Sequence, residues 1–276
     1  MNKIAIIIPT IHRDEILMET INSILDNYQD NWVILIGDQN KEEDWSFEKS
    51  SFYHSACAEA HTALRNQDRI KVHHLPYDCG LSHARNELVK LANNLDIKYC
   101  LIGADSIKFT ESMKSINYLI KYLNYSPDFN IDLLGLEVQE RISWEAWLDL
   151  QDSFILDFIE KNPIEGLLDR YCKNNITIWN CDIVRNFFLA TTKSLLEVKW
   201  DNNLKMMEHE DFFWRYKQTG YKVGWTNYSS GKYSPGIDIE YKKIRAKNMN
   251  ISKEELKQKY NLKSWVQYIN LKNAKR

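Results

Sequence analysis

Three stretches of this chain are apolar without the alternation of a half-exposed strand: KIAIIIPT (3–10), WVILIGDQN (32–40) and IKYCLIGADSIKF (97–109). Strands of that kind must be covered on both faces, the condition of central strands in a parallel sheet clothed by helices. Between the first two lies IHRDEILMETINSILDNY, where Leu17, Ile21, Ile24, Leu25 and Tyr28 recur at helical spacing. Strand, helix and strand within about forty residues make a βαβ unit and therefore a parallel pair.

RIKVHHLP (69–76) predicts a third strand, after a polar stretch (41–68) of weak helical periodicity. In YDCGLSHARNELVKLANN, Gly80 marks a turn and Ser82 a helix N-cap; Leu81, Ala84, Leu88 and Leu91 form one apolar stripe. The third apolar run ends in Gly103-Ala104-Asp105-Ser106, and TESMKSINYLIKYLN predicts a further helix. The first half therefore reads as a doubly wound α/β sheet, which binds ligands at the carboxyl ends of its strands. Thr10, His12, Arg13, Asp38, Asn40, Asp105 and Ser106 stand at those ends.

In the second half, IDLLGLEVQERI reads as a strand and SWEAWLDLQDSFILDFIEKNPIEGLLDRYC as helical, broken at Pro163. IWNCDIVRNFFLATTKSLLEV supplies one or two strands. Glu208, His209, Glu210 and Asp211 then open an aromatic-rich helix closed by Gly220. YKVGW is a last strand, and SSGKYSPG (229–236) reads as a loop. Three carboxylates and an imidazole exceed what helix capping requires, since the macrodipole favours each acid by only about 0.3–1 kcal/mol.

Net charge is −2 but uneven: residues 242–276 carry eleven Lys and Arg against Glu254 and Glu255, leaving the first 241 strongly acidic. This basic tail is expected either to meet an anionic partner, whether a membrane surface, nucleic acid or the protein's own acidic face, or to be a plain solvated helix. The five cysteines show no ligand spacing, so neither a disulfide frame nor a zinc site is expected. Ile4–Ile8 is too short to span a membrane, and a cytoplasmic location, at the inner face of the membrane if the tail binds there, is expected.

KIAIIIPTIHR, GLSHARNELVKLA and EHEDFFWR, in that order, resemble the glycosyltransferases of the GT-A fold in the broad family 2 group. NFFLAT…WDNNLKMMEHEDFF is similar to the ganglioside β1,4-N-acetylgalactosaminyltransferases and their bacterial relatives. The resemblance implies a Rossmann-like, mostly parallel central sheet flanked by helices. The resemblance covers roughly Ile4 to Trp225; with no linker-like stretch between the halves, the chain reads as one domain over 1–236, with a nucleotide-sugar half (1–125) and an acceptor and catalytic half (126–236), followed by the basic helical tail (237–276). The resemblance also implies inverting transfer from a UDP-sugar donor to a glycan or glycolipid hydroxyl in surface polysaccharide synthesis. Under this resemblance nucleic acid is not an expected partner.

By the same resemblance, Pro9, Thr10, His12, Arg13, Asp38, Arg85, Asn86, Ala104 and Asp105 form the donor site. Asp211 is the expected general base, with Glu210 second. The family's Asp-x-Asp, which holds Mn2+ or Mg2+, is reduced here to Asp105, so His209 or Ser106 is the candidate to complete the metal site, His209 being equally well read as a surface histidine. Plainer roles stand beside these. Asp38 can cap the following segment, Arg85 can form a salt bridge, and Asp211 lies four residues before Arg215, the spacing of a helix ion pair. Most of Trp144, Trp147, Trp179, Trp214 and Trp225 are expected to be packing, with a minority available to stack on a sugar. Two other functions fit parts of the pattern: a carbohydrate-binding or scaffold protein that has lost its metal site, and a sugar-phosphate nucleotidyltransferase. The latter lacks the Gly-rich, basic N-terminal loop it needs.

Overall fold

The computed structural model describes residues 2–57, 69–123, 131–139, 145–158, 178–234 and 239–269. The first apolar runs form β1 (Ile4–Thr10) and β2 (Trp32–Asp38), joined through α1 (Asp14–Asp26) and paired in parallel from Ile4↔Trp32 to Thr10↔Asp38. α2 (Phe47–Cys57) precedes β3 (Ile70–His74), and α3 (Leu81–Asn94) precedes β4 (Tyr99–Ile102). β3, β2, β1 and β4 lie side by side and parallel, as their double-sided apolarity requires.

Alternation along β1 shows why the run is continuous. Ile4, Ile6 and Ile8 pack with Leu17, Ile21 and Ile24 of α1, while Ala5 and Ile7 face Leu88, Val89 and Ala92 of α3. Each of the Ile, Leu and Val side chains among them contributes about 1.5–3 kcal/mol when fully buried.

β5 (Ile107–Phe109) follows, then a tight-turned helical stretch holding α4 (Ile116–Leu119), then β6 (Leu133–Gln139). β7 (Ala146–Leu150) and β8 (Phe154–Phe158) come next, followed by β9 (Trp179–Cys181) and β10 (Phe188–Thr191). α5 (Thr192–Val198), α6 (Glu208–Gln218), β11 (Val223–Tyr233), α7 (Ile239–Tyr260) and β12 (Val266–Ile269) complete the chain. The sheet runs β3-β2-β1-β4-β10-β6-β11-β5, with β9 also on β11. β10 is antiparallel to both β4 and β6, so the sheet is mixed, with parallel pairing among β3, β2, β1 and β4 and again between β6 and β11.

Three expectations are corrected. Residues 146–158 are an antiparallel hairpin, not a helix: alternation of buried Ala146 and Leu148 with exposed Trp147 and Asp149 is a strand period. Pro163 lies outside the described residues. Residues 229–233 continue β11 rather than forming a loop, pairing with β5 and β6. Ser82 does not cap α3; Gly80 holds that position at φ +89°, and the Ser82 hydroxyl donates to the Leu204 carbonyl at 2.6 Å. A Cβ on Gly80 would also meet the Lys205 Cα at 2.9 Å, so glycine is required there twice over.

The described part of the basic tail packs on the rest of the chain. β12 pairs in parallel with β8, closing a three-stranded sheet β12-β8-β7. On α7, Asn248 donates to Asp78 at 2.9 Å, and the Ser252 hydroxyl accepts the Met206 N–H at 3.1 Å. Lys259 lies 2.6 Å from both Asp201 and Asp211. Of the anionic partners expected for this segment, the protein's own acidic face is the one these contacts display. No helix among the described residues is long and apolar enough to cross a membrane.

Candidate active site

A cavity of about 770 Å³ opens at the carboxyl ends of β1 and β4. Pro9, Thr10 and Arg13 reach it from the end of β1, and Ala104 and Asp105 from the end of β4. Arg85 of α3 and His209 and Glu210 of α6 form the facing wall. These expected site residues therefore converge, because parallel strands end at one sheet edge where the following segments turn away.

Asp105 is 5% exposed and both of its oxygens are engaged. Oδ1 pairs with the Arg13 guanidinium at 2.9 Å, and Oδ2 accepts the Thr10 hydroxyl at 3.1 Å. Burial pushes this carboxyl up to about 6, against the pull of Arg13 and Thr10. The Tyr241 ring of α7 lies 4.7 Å from the Arg13 guanidinium carbon, so the tail covers the pair.

Successive residues of a helix point about 100° apart, and the acids of α6 diverge accordingly. Glu208 turns to α3, where Arg85 Nη1 lies 2.5 Å from its Oε1, and Asn186 donates to the same oxygen at 3.3 Å. Glu210 turns to the cavity. It is 2% exposed, and burial raises its carboxyl to about 8, with the neighbouring Glu208 and Asp211 charges acting in the same direction. Asp211 turns away, toward α7 and the rest of α6. Arg215 donates to its Oδ2 at 2.9 and 2.7 Å, while Lys259 and the Tyr260 hydroxyl donate to its Oδ1 at 2.6 and 2.8 Å.

His209 is neutral, its imidazole lowered to about 3 by burial and by the charges of Arg85 and Arg185. Its Nδ1 lies 3.0 Å from Asn186 Oδ1, a carbonyl oxygen that accepts, so that nitrogen carries the proton.

Four expected site residues stand elsewhere. Asp211 is not on the cavity wall, and the ion pair with Arg215 that its spacing allowed is present. Asp38 is fully buried away from the cavity; Lys49 reaches its Oδ2 at 2.8 Å, Tyr53 donates to it at 2.8 Å, and the Asn40 N–H caps Oδ1 at 2.9 Å. Asn86 fastens the segment after α5, donating to the Trp200 carbonyl at 2.8 Å and accepting its N–H at 2.9 Å. His12 sits outside the wall, its Nε2 2.9 Å from the Tyr77 hydroxyl.

Lys49 deserves a test of its own because it is wholly buried between two acids, 2.7 Å from Asp14 and 2.8 Å from Asp38. Lys49→Met should destabilise the fold by about 3–5 kcal/mol, since it leaves buried carboxylates uncompensated. Urea unfolding measures this; an unchanged midpoint would show that the acids are satisfied without it.

The donor set does not suit the divalent cation that the resemblance implies. Such an ion needs several oxygen or nitrogen ligands, and Asp105 already serves Arg13 and Thr10. Among the described residues no three His, Cys, Asp or Glu side chains group as a metal site.

The tail contributes wall residues that the strand-end reading does not reach: Tyr241, Lys242, Arg245 and Met249 of α7, and Trp265 just before β12. Their signal was present, since 241, 242, 245 and 249 fall on one helical face. Of the tryptophans considered for sugar stacking, Trp179 and Trp225 pack on each other at 4.8 Å, Trp147 is exposed, and Trp144 lies outside the described residues. Trp214 packs against the core.

No protein-family model matches the chain, and no curated protein does. Solved structures do. The chain aligns with S. aureus TarS 1-349 at 12% identity and TM-score 0.55, over 92% of this chain and 65% of that one. TarS 1-349 in complex with UDP-GlcNAc aligns at 11% identity and TM-score 0.55, over 94% and 73%. GalNAc-T7 with UDP, GalNAc and Mn2+ aligns at 13% identity and TM-score 0.59, over 86% and 44%. The chain thus spans just under two thirds of TarS 1-349 in the first alignment and under half of GalNAc-T7. The narrower likeness to ganglioside-type enzymes rests on the sequence block alone. This chain has the GT-A glycosyltransferase fold.

Proposed function

We propose that this protein transfers a sugar, with inversion, from a UDP-sugar to a hydroxyl of a glycan or glycolipid acceptor, and that Glu210 is the general base. The fold's neighbours include one solved with UDP-GlcNAc and one with UDP, GalNAc and Mn2+, which makes a UDP-hexose or UDP-N-acetylhexosamine the donor of choice. The observation that carries the reading is the place of Glu210, a carboxyl 2% exposed on the cavity wall, which burial pushes up to about 8. A base poised close to working pH is the condition for efficient proton transfer. Synthesis of a surface polysaccharide is the process such a transfer would serve.

In this reading the acceptor oxygen attacks the anomeric carbon from the side of α6 as the bond from that carbon to the diphosphate oxygen breaks. The acceptor proton passes to Glu210, and the bonding pair leaves with UDP. Arg85 and Asn186 hold Glu208, and Asn186 holds His209, so the residues that flank the base in sequence are fixed. The transfer needs one base, whereas hydrolysis of a glycoside by paired carboxyls would need two facing the same bond; Glu208 is spent on Arg85 and Asp211 on α7.

A thermal-shift series tests the donor. At a hundredfold excess over its dissociation constant, UDP should stabilise the protein by about 2.7 kcal/mol, a rise in Tm of roughly 5–10 °C. ADP and GDP should give less. Equal shifts with all three, or none, would sink the UDP-sugar reading.

A further inference from the structure

We infer that the basic face of α7, through Lys242 and Arg245, neutralises the donor's diphosphate, so that donor binding does not depend on a divalent cation. This rests on the UDP-sugar reading above. Three observations carry it. First, the carboxylate at the expected metal position already has a cation: Asp105 pairs with Arg13 at 2.9 Å. Second, the cavity wall is cationic in excess, with Arg13, Arg85, Arg185, Lys242 and Arg245 against Asp105, Glu208 and Glu210. Third, two of those cations are uncommitted. Arg13 serves Asp105 and Arg85 serves Glu208, but neither Lys242 nor Arg245 has an acidic partner among the described residues. Among the described residues Arg245 donates to the Tyr241 hydroxyl, at 3.2 Å.

The placement suits a diphosphate. Tyr241 stacks on Arg13 and so sets the start of α7 over the end of β1. Asn248 on Asp78 and Ser252 on Met206 hold the helix along its length. Lys242 and Arg245 are exposed, line the cavity from a pinned helix, and make no ion pair with an acid among the described residues. Their solvent-facing charge can be spent on an anion, and an arginine can hold two phosphate oxygens at once.

Calorimetric titration of the full chain tests this, with UDP and uridine, in EDTA and in Mn2+. UDP should bind in EDTA within about threefold of its affinity in Mn2+, a difference of less than 1 kcal/mol. The Lys242→Ala/Arg245→Ala variant should lower the ratio of UDP to uridine affinity at least about tenfold, as loss of charge-assisted contacts to phosphate requires. UDP binding seen only with Mn2+ overturns the inference and leaves the donor assignment standing. So does a variant whose ratio equals the wild type's, including one in which both ligands weaken alike through damage to α7. UDP binding in neither condition would refute the donor assignment, and this inference with it.

Discussion

Glu210→Gln is expected to lower kcat by about 10²–10⁴-fold, the range contributed by a positioned general base, while UDP affinity stays the same. Glutamine keeps the shape of the side chain and removes only its capacity to accept the acceptor's proton. In the wild type, kcat should climb with pH and level off above about 8, because the buried carboxyl is a base only after it loses its proton. The charges that face it act together: Glu208 and Asp211 from its own helix raise it, and Tyr268 of β12 feels its charge in return. A variant that transfers sugar at the wild-type rate would place the base elsewhere.

Stability supplies a separate readout for the same residue. The folded carboxyl keeps its proton to about 8, whereas its ordinary value is 4.5. Between those values the folded state binds the extra proton, so the wild type loses stability as pH rises through that window. Glu210→Gln lacks this term. Its Tm should therefore gain on the wild type's between pH 6 and pH 8.5, in a buffer series that needs no substrate.

Asp211→Asn should behave as a structural lesion. Asp211 is wholly buried, and its two oxygens collect Arg215, Lys259 and Tyr260, the last two from the end of α7. Neutralising it leaves those donors facing an amide. The expected loss is about 3 kcal/mol, the low end of the range for breaking a buried ion pair, because Arg215 and Lys259 partly reach water. Tm should fall by roughly 6–12 °C. Hydrogen exchange should rise through α7 and β12, which Asp211 ties to α6. If the variant instead lost transfer with an unchanged Tm and an unchanged α7, the base would be Asp211.

These two substitutions, one residue apart, separate what local sequence can say from what it cannot. EHED announces an acidic helix start, and its acids are indistinguishable by composition. Which of them line the cavity, as Glu208 and Glu210 do and Asp211 does not, depends on the rotational phase of α6 against its neighbours. That phase is set by Phe212 and Phe213 packing on Phe188 of β10, and by Trp200 stacking on Phe212 at 4.3 Å. Asp38 shows the same limit. Its place at the end of β2 was legible, but its buried partner Lys49 comes from α2, out of the weakly periodic stretch between β2 and β3.

The amino-acid sequence by itself determined the parallel half of the sheet. Continuous apolar runs leave a strand no stable position except between two covered faces, and helical stripes between them supply the covers. It thereby determined that Thr10, Arg13 and Asp105 share an edge, since parallel strands end together. The hairpin at 146–158 and the docking of the tail were decided by tertiary structure. Apolar residues at 146, 148, 154 and 156 suit more than one period in so short a segment, and pairing with β12, more than a hundred residues on, selects the strand. Charge alone left the tail's partner open. Lys259, Tyr260 and Asn248 close on acids from α6 and from the segment before α3, and that closure brings Tyr241, Lys242 and Arg245 to the cavity. Long-range contacts of this kind are energetically decisive, yet they are invisible locally because no single stretch contains both partners.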